Sequence, residues 1–393
     1  MPSSISSSER VRSEPLPGRP GLVRPTAADR PGVAQPVPER DVPSKPWPAM
    51  LAAAALVAAL ALGAWEARMR AVGLVPGDVG DYPSGWAEQR RRLDAGDVPV
   101  AIAGDSRILF DTDLDRFERL TGTRPVQLAL VGTNARYIVE DVARAANFRG
   151  LLIVGIADTS YFRADFGYGA DALARYRFES PSQRSGRWLH GWLSQALAFL
   201  DEDYRLSKLV HRLDDGWRAG ADRYYAATWK LLTMRPDRAA RMWSRIEQPG
   251  QLQEHARWFW LHGPQRPPAS DALVADTIRR TREAVAAIRA RGGEVVFLRP
   301  PSAGPLREMQ ERQMPRARGW EPLLREADVR GVHYQDVPAM QGLVMPEYSH
   351  LSGACATVYT DAYVRALAGL TPRLALRADA PPPLSPGDCV PRR

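Results

Sequence analysis

Five short apolar runs, at residues 98–103, 126–131, 151–156, 294–298 and 332–334, set the frame of this chain. They are apolar nearly throughout rather than alternating, the pattern of strands covered on both faces. Helical patterns separate them. The clearest, over 271–289, carries Val274, Ile278, Val285 and Ile288 on one stripe and is stopped by Gly292-Gly293. Strand–helix–strand alternation predicts an α/β domain with a parallel, doubly wound five-stranded sheet. In such a sheet the active site lies beyond the carboxyl ends of the strands.

The region ahead of the first run is of another kind. Residues 1–46 are rich in Ser, Pro and Arg and hold too little apolar surface to offset their ordering entropy, which predicts a disordered tail. Residues 47–65 then contain no charge, and 49–64 comprise nine Ala, four Leu, Met50, Val57 and Gly63. At 1.5 Å per residue this window spans about 28 Å, the thickness of a bilayer's hydrocarbon, and Trp47 and Trp65 stand at its two ends. A cleaved signal peptide has a short charged leader, and here the leader would be 46 residues long. The window 47–66 is therefore expected to be an uncleaved transmembrane signal anchor, with 67–96 as a linker. Arg40 and Lys45 on one side balance Arg68 and Arg70 on the other, so local charge leaves the orientation open.

Composition excludes several classes of function. Basic residues number 53 against 45 acidic, a net charge of +8, but only Lys45, Lys208 and Lys230 are lysines. Arginine spread among nearly as many acids is a bias of usage, not the clustered patch that binds nucleic acid. There is no Walker A or dinucleotide glycine pattern and no zinc-like Cys/His spacing. No cofactor or metal is expected. Cys355 and Cys389 are too few for a disulfide framework, and the sequence favours two buried thiols over a single bridge.

Residues 163–270 break the alternation and hold seven of the eleven Trp residues. This is too long for a plain loop and predicts a largely helical insertion, with helices near 192–200 and 206–213, packed as a lid over the strand ends. Its tryptophans are expected to form its own core; a substrate groove or a membrane-facing surface are the alternatives. His190, His211, His255 and His262 fall in it without ligand spacing. A Pro-rich tail follows at 371–393.

The strand ends carry the chemistry. Gly104-Asp105-Ser106 ends the first run, Gly132-Thr133-Asn134 follows the second, Ala157-Asp158 the third, and Arg299-Pro300-Pro301-Ser302 the fourth. After the fifth comes Glu347-Tyr348-Ser349-His350-Leu351-Ser352. A nucleophilic serine needs a base in hydrogen-bond reach and a third group to orient that base. Ser106, His350 and Glu347 can fill these roles, Glu347 reaching the ring from three residues upstream. Backbone N–H groups of Ser106 and Gly132 are candidate oxyanion donors. Arg299 could steer an anionic substrate group or simply pair with Asp158 or Asp105, and Asp336 reads as a turn or cap residue.

A strand-end Gly-Asp-Ser early in a domain and an acid-x-x-His-Leu near its end resemble the SGNH (GDSL-like) hydrolase superfamily of esterases and acyltransferases. The resemblance covers about 98–162 and 271–370, and not the insertion. It implies a flavodoxin-like three-layer sandwich over 97–370, Ser106 as nucleophile, His350 as base and Gly132 as oxyanion donor, without a metal. Two positions depart from the pattern. Glu347 replaces the usual Asp, and Ala157 stands where the third block, Gly155-Ile156-Ala157-Asp158, usually has an oxyanion Asn. Asn134 could supply that amide, or be an ordinary turn residue. The resemblance further implies a single-pass inner-membrane protein, its tail cytoplasmic and its catalytic domain extracytoplasmic. Such a protein would act on an acylated or acceptor saccharide, beside an envelope partner protein. The alternatives are a catalytically inactive SGNH-like module that binds glycan or scaffolds an envelope complex, and a structural anchored protein whose Trp-rich insertion docks a partner.

Overall fold

A computed structural model describes residues 44–214, 230–263 and 267–390. Its strands, in chain order, are β1 (Val100–Gly104), β2 (Val126–Gln127), β3 (Leu151–Gly155), β4 (Leu232–Met234), β5 (Ala240–Met242), β6 (Glu294–Arg299) and β7 (Arg330–His333). The helices that matter here are α1 (Trp47–Val72), α2 (Pro83–Ala95), α3 (Ser106–Phe110), α4 (Leu114–Thr121), α5 (Ala135–Ala143), α6 (Gly169–Phe178), α7 (Pro181–Ser194), α8 (Leu206–Asp214), α9 (Gln251–His262), α10 (Asp271–Ala290) and α11 (Gly353–Leu370).

Five strands pair in parallel in the order β2-β1-β3-β6-β7, so the chain is α/β with a parallel sheet. Alternate strand residues feed two cores. Val100, Ile102, Ile153 and Leu298 pack with residues of α4 and α11, whereas Ala101, Ala103, Val154 and Phe297 pack with residues of α2, α5 and α10. This is why the strands read as unbroken apolar runs: both faces are covered. β2 is shorter than expected because the chain bends away after Gln127, although Leu128 and Leu130 still donate to Ile102 O and Gly104 O at 2.7 and 3.1 Å. The bare edge of β2 is closed by buried Arg238, whose guanidinium donates to the carbonyls of Gln127 (3.2 Å) and Ala129 (2.6 Å). Capping an edge this way removes a template for strand addition.

Of the tail expected to be disordered, 1–46, residues 1–43 lie outside the described residues. The chain divides into two units within α1, between Ala58 and Ala59. α1 is 26 residues long and contains an exposed 18-residue window with a mean hydropathy of 1.9, so it is long and apolar enough to cross a membrane. Its last turns belong to the domain. Met69 is buried in the core, and the Glu66 carboxylate accepts the N–H groups of Ala198 (3.0 Å) and Phe199 (2.9 Å).

Three expectations need correction. The stretch 67–96 is no linker, because α2 lies within it and buries Trp86 and Leu93 completely. The insertion is helical but also contains the antiparallel hairpin β4–β5, whose three-residue strands carry no readable period. Of its tryptophans Trp243 is core, while Trp188 and Trp192 are exposed; Trp217 and Trp229 lie outside the described residues. Finally, Cys355 and Cys389 form a disulfide. Residues 371–390 are strapped to the body, with Arg377 N donating to Leu120 O and Arg116 to Pro382 O, and this course brings Cys389 to 5.1 Å (Cα–Cα) from Cys355 on α11.

The bridge spans 34 residues of sequence, so chain entropy gives it about 3–4 kcal/mol of stabilisation. Cys389→Ser should lower the free energy of unfolding by about that amount in urea titration. A loss below about 1 kcal/mol would mean that the tail stays in place without it.

Candidate active site

The carboxyl end of β1 shows why Gly-Asp-Ser stands where it does. α3 starts at Ser106 and folds back over the sheet, so that Ile108 rests on Gly104 and Gly155. A Cβ on Gly104 would lie 2.1 Å from Ile108 Cγ2, and one on Gly155 2.2 Å from Ile108 Cβ. Asp105 caps α3 by accepting Arg107 N at 3.0 Å, and its other oxygen accepts Ala157 N at 3.1 Å. One carboxylate thus fixes the turn at Ser106 and ties β1 to the loop after β3.

Ser106, half-buried, lies 2.9 Å from His350 Nε2, and His350 Nδ1 lies 3.0 Å from Glu347 Oε1. His350 and Glu347 are buried, and the Phe110 ring stacks on the imidazole with centroids 4.1 Å apart. Glu347 Oε1 also accepts the N–H groups of His350 (2.6 Å) and Ser349 (3.2 Å), so the acid holds the turn as well as the ring. Tyr348, between them, sits at φ 76°, a left-handed conformation that a bulky residue adopts only when its surroundings enforce it. Here Tyr348 O accepts Ala303 N at 2.9 Å, and Arg257 lies over its ring.

Two contributors escape sequence reasoning. Trp260 of α9 donates its indole N–H to Glu347 Oε2, and its ring meets the imidazole edge-on at 5.7 Å. Arg257, on the same helix, donates to Pro346 O at 2.7 Å. Only the spacing of Arg257 and Trp260, one turn apart on an amphipathic helix, hints at a shared target. The other contributor is Arg107, buried beside Ser106 and bonded to Gln310 (2.8 Å) and Ser349 Oγ (3.4 Å). Burial and the nearby Arg299 lower its pKa to about 10.

The remaining candidates are placed as follows. Gly132 has φ 62° and is exposed, and a Cβ there would strike the Tyr168 ring at 2.7 Å. Among the described residues neither Ser106 N–H nor Gly132 N–H has a hydrogen-bond acceptor. Asn134 is fully buried; its Oδ1 caps α5 by accepting Arg136 N (3.0 Å), and its amide donates to Arg163 O (2.7 Å). Its side chain is thereby engaged in holding the loop. Ala157 offers no side-chain donor. Arg299 pairs with Asp158 at 2.6 Å, both buried; burial alone would lower the guanidinium's pKa, but Asp158 holds it above the ordinary value. Asp336 pairs with Arg316 at 2.7 Å.

No protein-family model matches this chain, and no curated protein sequence matches it.

Trp260→Phe keeps the ring and removes the N–H, leaving a buried carboxylate one donor short. The expected cost is about 1.5–3 kcal/mol of stability by denaturant titration. A change within about 0.5 kcal/mol would show that the bond contributes nothing. His333, at the end of β7, makes a second test. Burial and the nearby Arg299 and Arg316 depress its pKa to about 4, and its Nδ1 accepts Gln335 N, as a neutral ring does. A histidine kept neutral in the fold but free to charge when unfolded destabilises the fold as pH falls from about 6.5 to about 4. His333→Gln should flatten that part of the stability–pH curve, and an unaltered slope there would refute the assignment.

Proposed function

We propose that this chain is a membrane-anchored SGNH-like serine esterase or O-acyltransferase. One observation carries the reading: Ser106, His350 and Glu347 stand in an unbroken hydrogen-bonded relay at 2.9 and 3.0 Å. In the proposed reaction Ser106 Oγ attacks an acyl carbonyl and passes its proton to His350 Nε2. The free N–H groups of Ser106 and Gly132 meet the developing oxyanion. His350 then protonates the leaving alcohol, and an acyl-enzyme remains on Ser106. Water or a sugar hydroxyl gives its proton to His350 and takes the acyl group, and as the serine leaves His350 returns that proton to Ser106 Oγ. Glu347 stays ionised throughout and orients the ring.

Further observations support the reading. The strand order β2-β1-β3-β6-β7 is the flavodoxin-like order, and the site lies beyond the carboxyl ends of those strands. The Cys355–Cys389 bridge suits an oxidising, extracytoplasmic compartment, which agrees with a cytoplasmic tail ahead of α1. An envelope glycan as acyl donor or acceptor follows from the family resemblance alone. Ala157, in place of the usual amide, favours a second reading, an inactive glycan-binding module.

Fluorophosphonate labelling of the full chain in detergent separates the two. Label should map to Ser106, vanish in Ser106→Ala and His350→Ala, and form roughly 10³-fold or more slowly in Glu347→Gln. Absence of label on protein with an intact cooperative melting transition would refute the enzyme and leave the binding module.

A further inference from the structure

Away from the relay lies a cavity of about 840 Å³, walled on one side by Ala61, Leu62 and Trp65 of α1 and on the other by α7, Phe199, Leu200 and Leu206. That volume falls within the range of small-molecule sites, about 300–1,000 Å³. Its position is unusual for one. Ala61, Leu62 and Trp65 lie at the end of the uncharged window, so one wall is the stretch of α1 that would lie at the bilayer surface. The helices around the cavity present large apolar side chains outward: Trp188 is 70% exposed, Trp192 65% and Leu206 65%. Tryptophan and leucine so exposed beside a spanning helix match the headgroup–acyl boundary, where an indole keeps its N–H wet and its ring dry.

Charges at the cavity are sorted. Glu202 is held by Tyr82 OH at 2.8 Å and by Arg205 at 2.8 Å, and Glu179 by Arg91 at 2.8 Å. Arg187 pairs with Glu88. Arg175 also lines the cavity and has no acidic partner among the described residues. The result is an apolar chamber with one uncommitted guanidinium, suited to an amphiphile with a long apolar chain and an anionic head.

We infer that this cavity binds a phospholipid of the surrounding bilayer, one acyl chain lying between α1 and α7 with the phosphate at Arg175, while Trp188 and Trp192 rest in the membrane interface. The inference rests on α1 crossing the membrane and is independent of the chemistry at Ser106.

The full chain is reconstituted into phosphatidylglycerol–phosphatidylcholine nanodiscs and then released into mild detergent for native mass spectrometry. One phospholipid should remain bound per chain. Gly186 provides a plug: it lines the cavity, and a Cβ there meets nothing within 4 Å, so Gly186→Phe starts from open space and projects its ring into the cavity region. That variant should lower lipid occupancy about tenfold, equivalent to about 1.4 kcal/mol of binding, with Ser106→Ala unaffected. In nanodiscs with brominated acyl chains, Trp188→Phe/Trp192→Phe should remove a quenched component of the fluorescence. A chain that enters nanodiscs but carries no lipid, or keeps as much in Gly186→Phe, overturns the inference. A chain that never enters nanodiscs fails one step earlier, at the span itself.

Discussion

The Glu347 carboxylate is the contact on which the rest of the site depends. Three donors from its own turn converge on Oε1, and one from α9 reaches Oε2. A buried carboxylate left unsatisfied would carry a heavy desolvation cost; satisfied on every side, it makes the turn rigid. Orientation of the imidazole, the left-handed backbone at Tyr348 and the docking of α9 are thus one coupled arrangement. The longer reach of glutamate fits it, because the acid bridges from its own backbone turn to a helix of the insertion. The insertion, through α9, is accordingly part of the relay's support.

Ser106 is seated by a different device. Gly104 and Gly155 are neighbours in register on β1 and β3, and lacking side chains they let Ile108 drop onto the sheet. Asp105 then fixes both the helix start and the adjacent loop. Steric allowance beneath and hydrogen bonds alongside hold Ser106 at a helix start, where its amide has no intrahelical partner. Arginine plays a related part elsewhere. Arg238 satisfies the edge carbonyls of β2 and Arg116 those of the C-terminal strap, work that a planar fork of donors does and a lysine point charge does not.

Much of this was legible in the sequence, for reasons that differ by element. The strands of the sheet were visible because burial on both faces leaves apolar runs, and α10 because its stripe repeats at the helical period. Ser106, Glu347 and His350 were legible as two local motifs, each written within a few consecutive residues. Trp260 was not, since its role is a tertiary contact made from an insertion with no motif of its own. The disulfide was hidden because pairing depends on the path of a Pro-rich stretch that hydrogen bonds, rather than periodicity, hold down. α2 reads as a linker because charged and polar residues dominate its composition, although Trp86, Ala87 and Leu93 are buried and Arg90 is buried against Asp141.

The relay also joins the two ends of the domain: Ser106 and His350 are 244 residues apart in sequence. At cellular elongation rates that gap represents roughly ten to fifty seconds of synthesis. Through that interval the serine has emerged without its base, and the strand that precedes His350, β7, is the last to join the sheet. The Ser106–His350 hydrogen bond therefore forms only when the fold is complete. A nascent or truncated chain that stops short of His350 carries Ser106 without that partner.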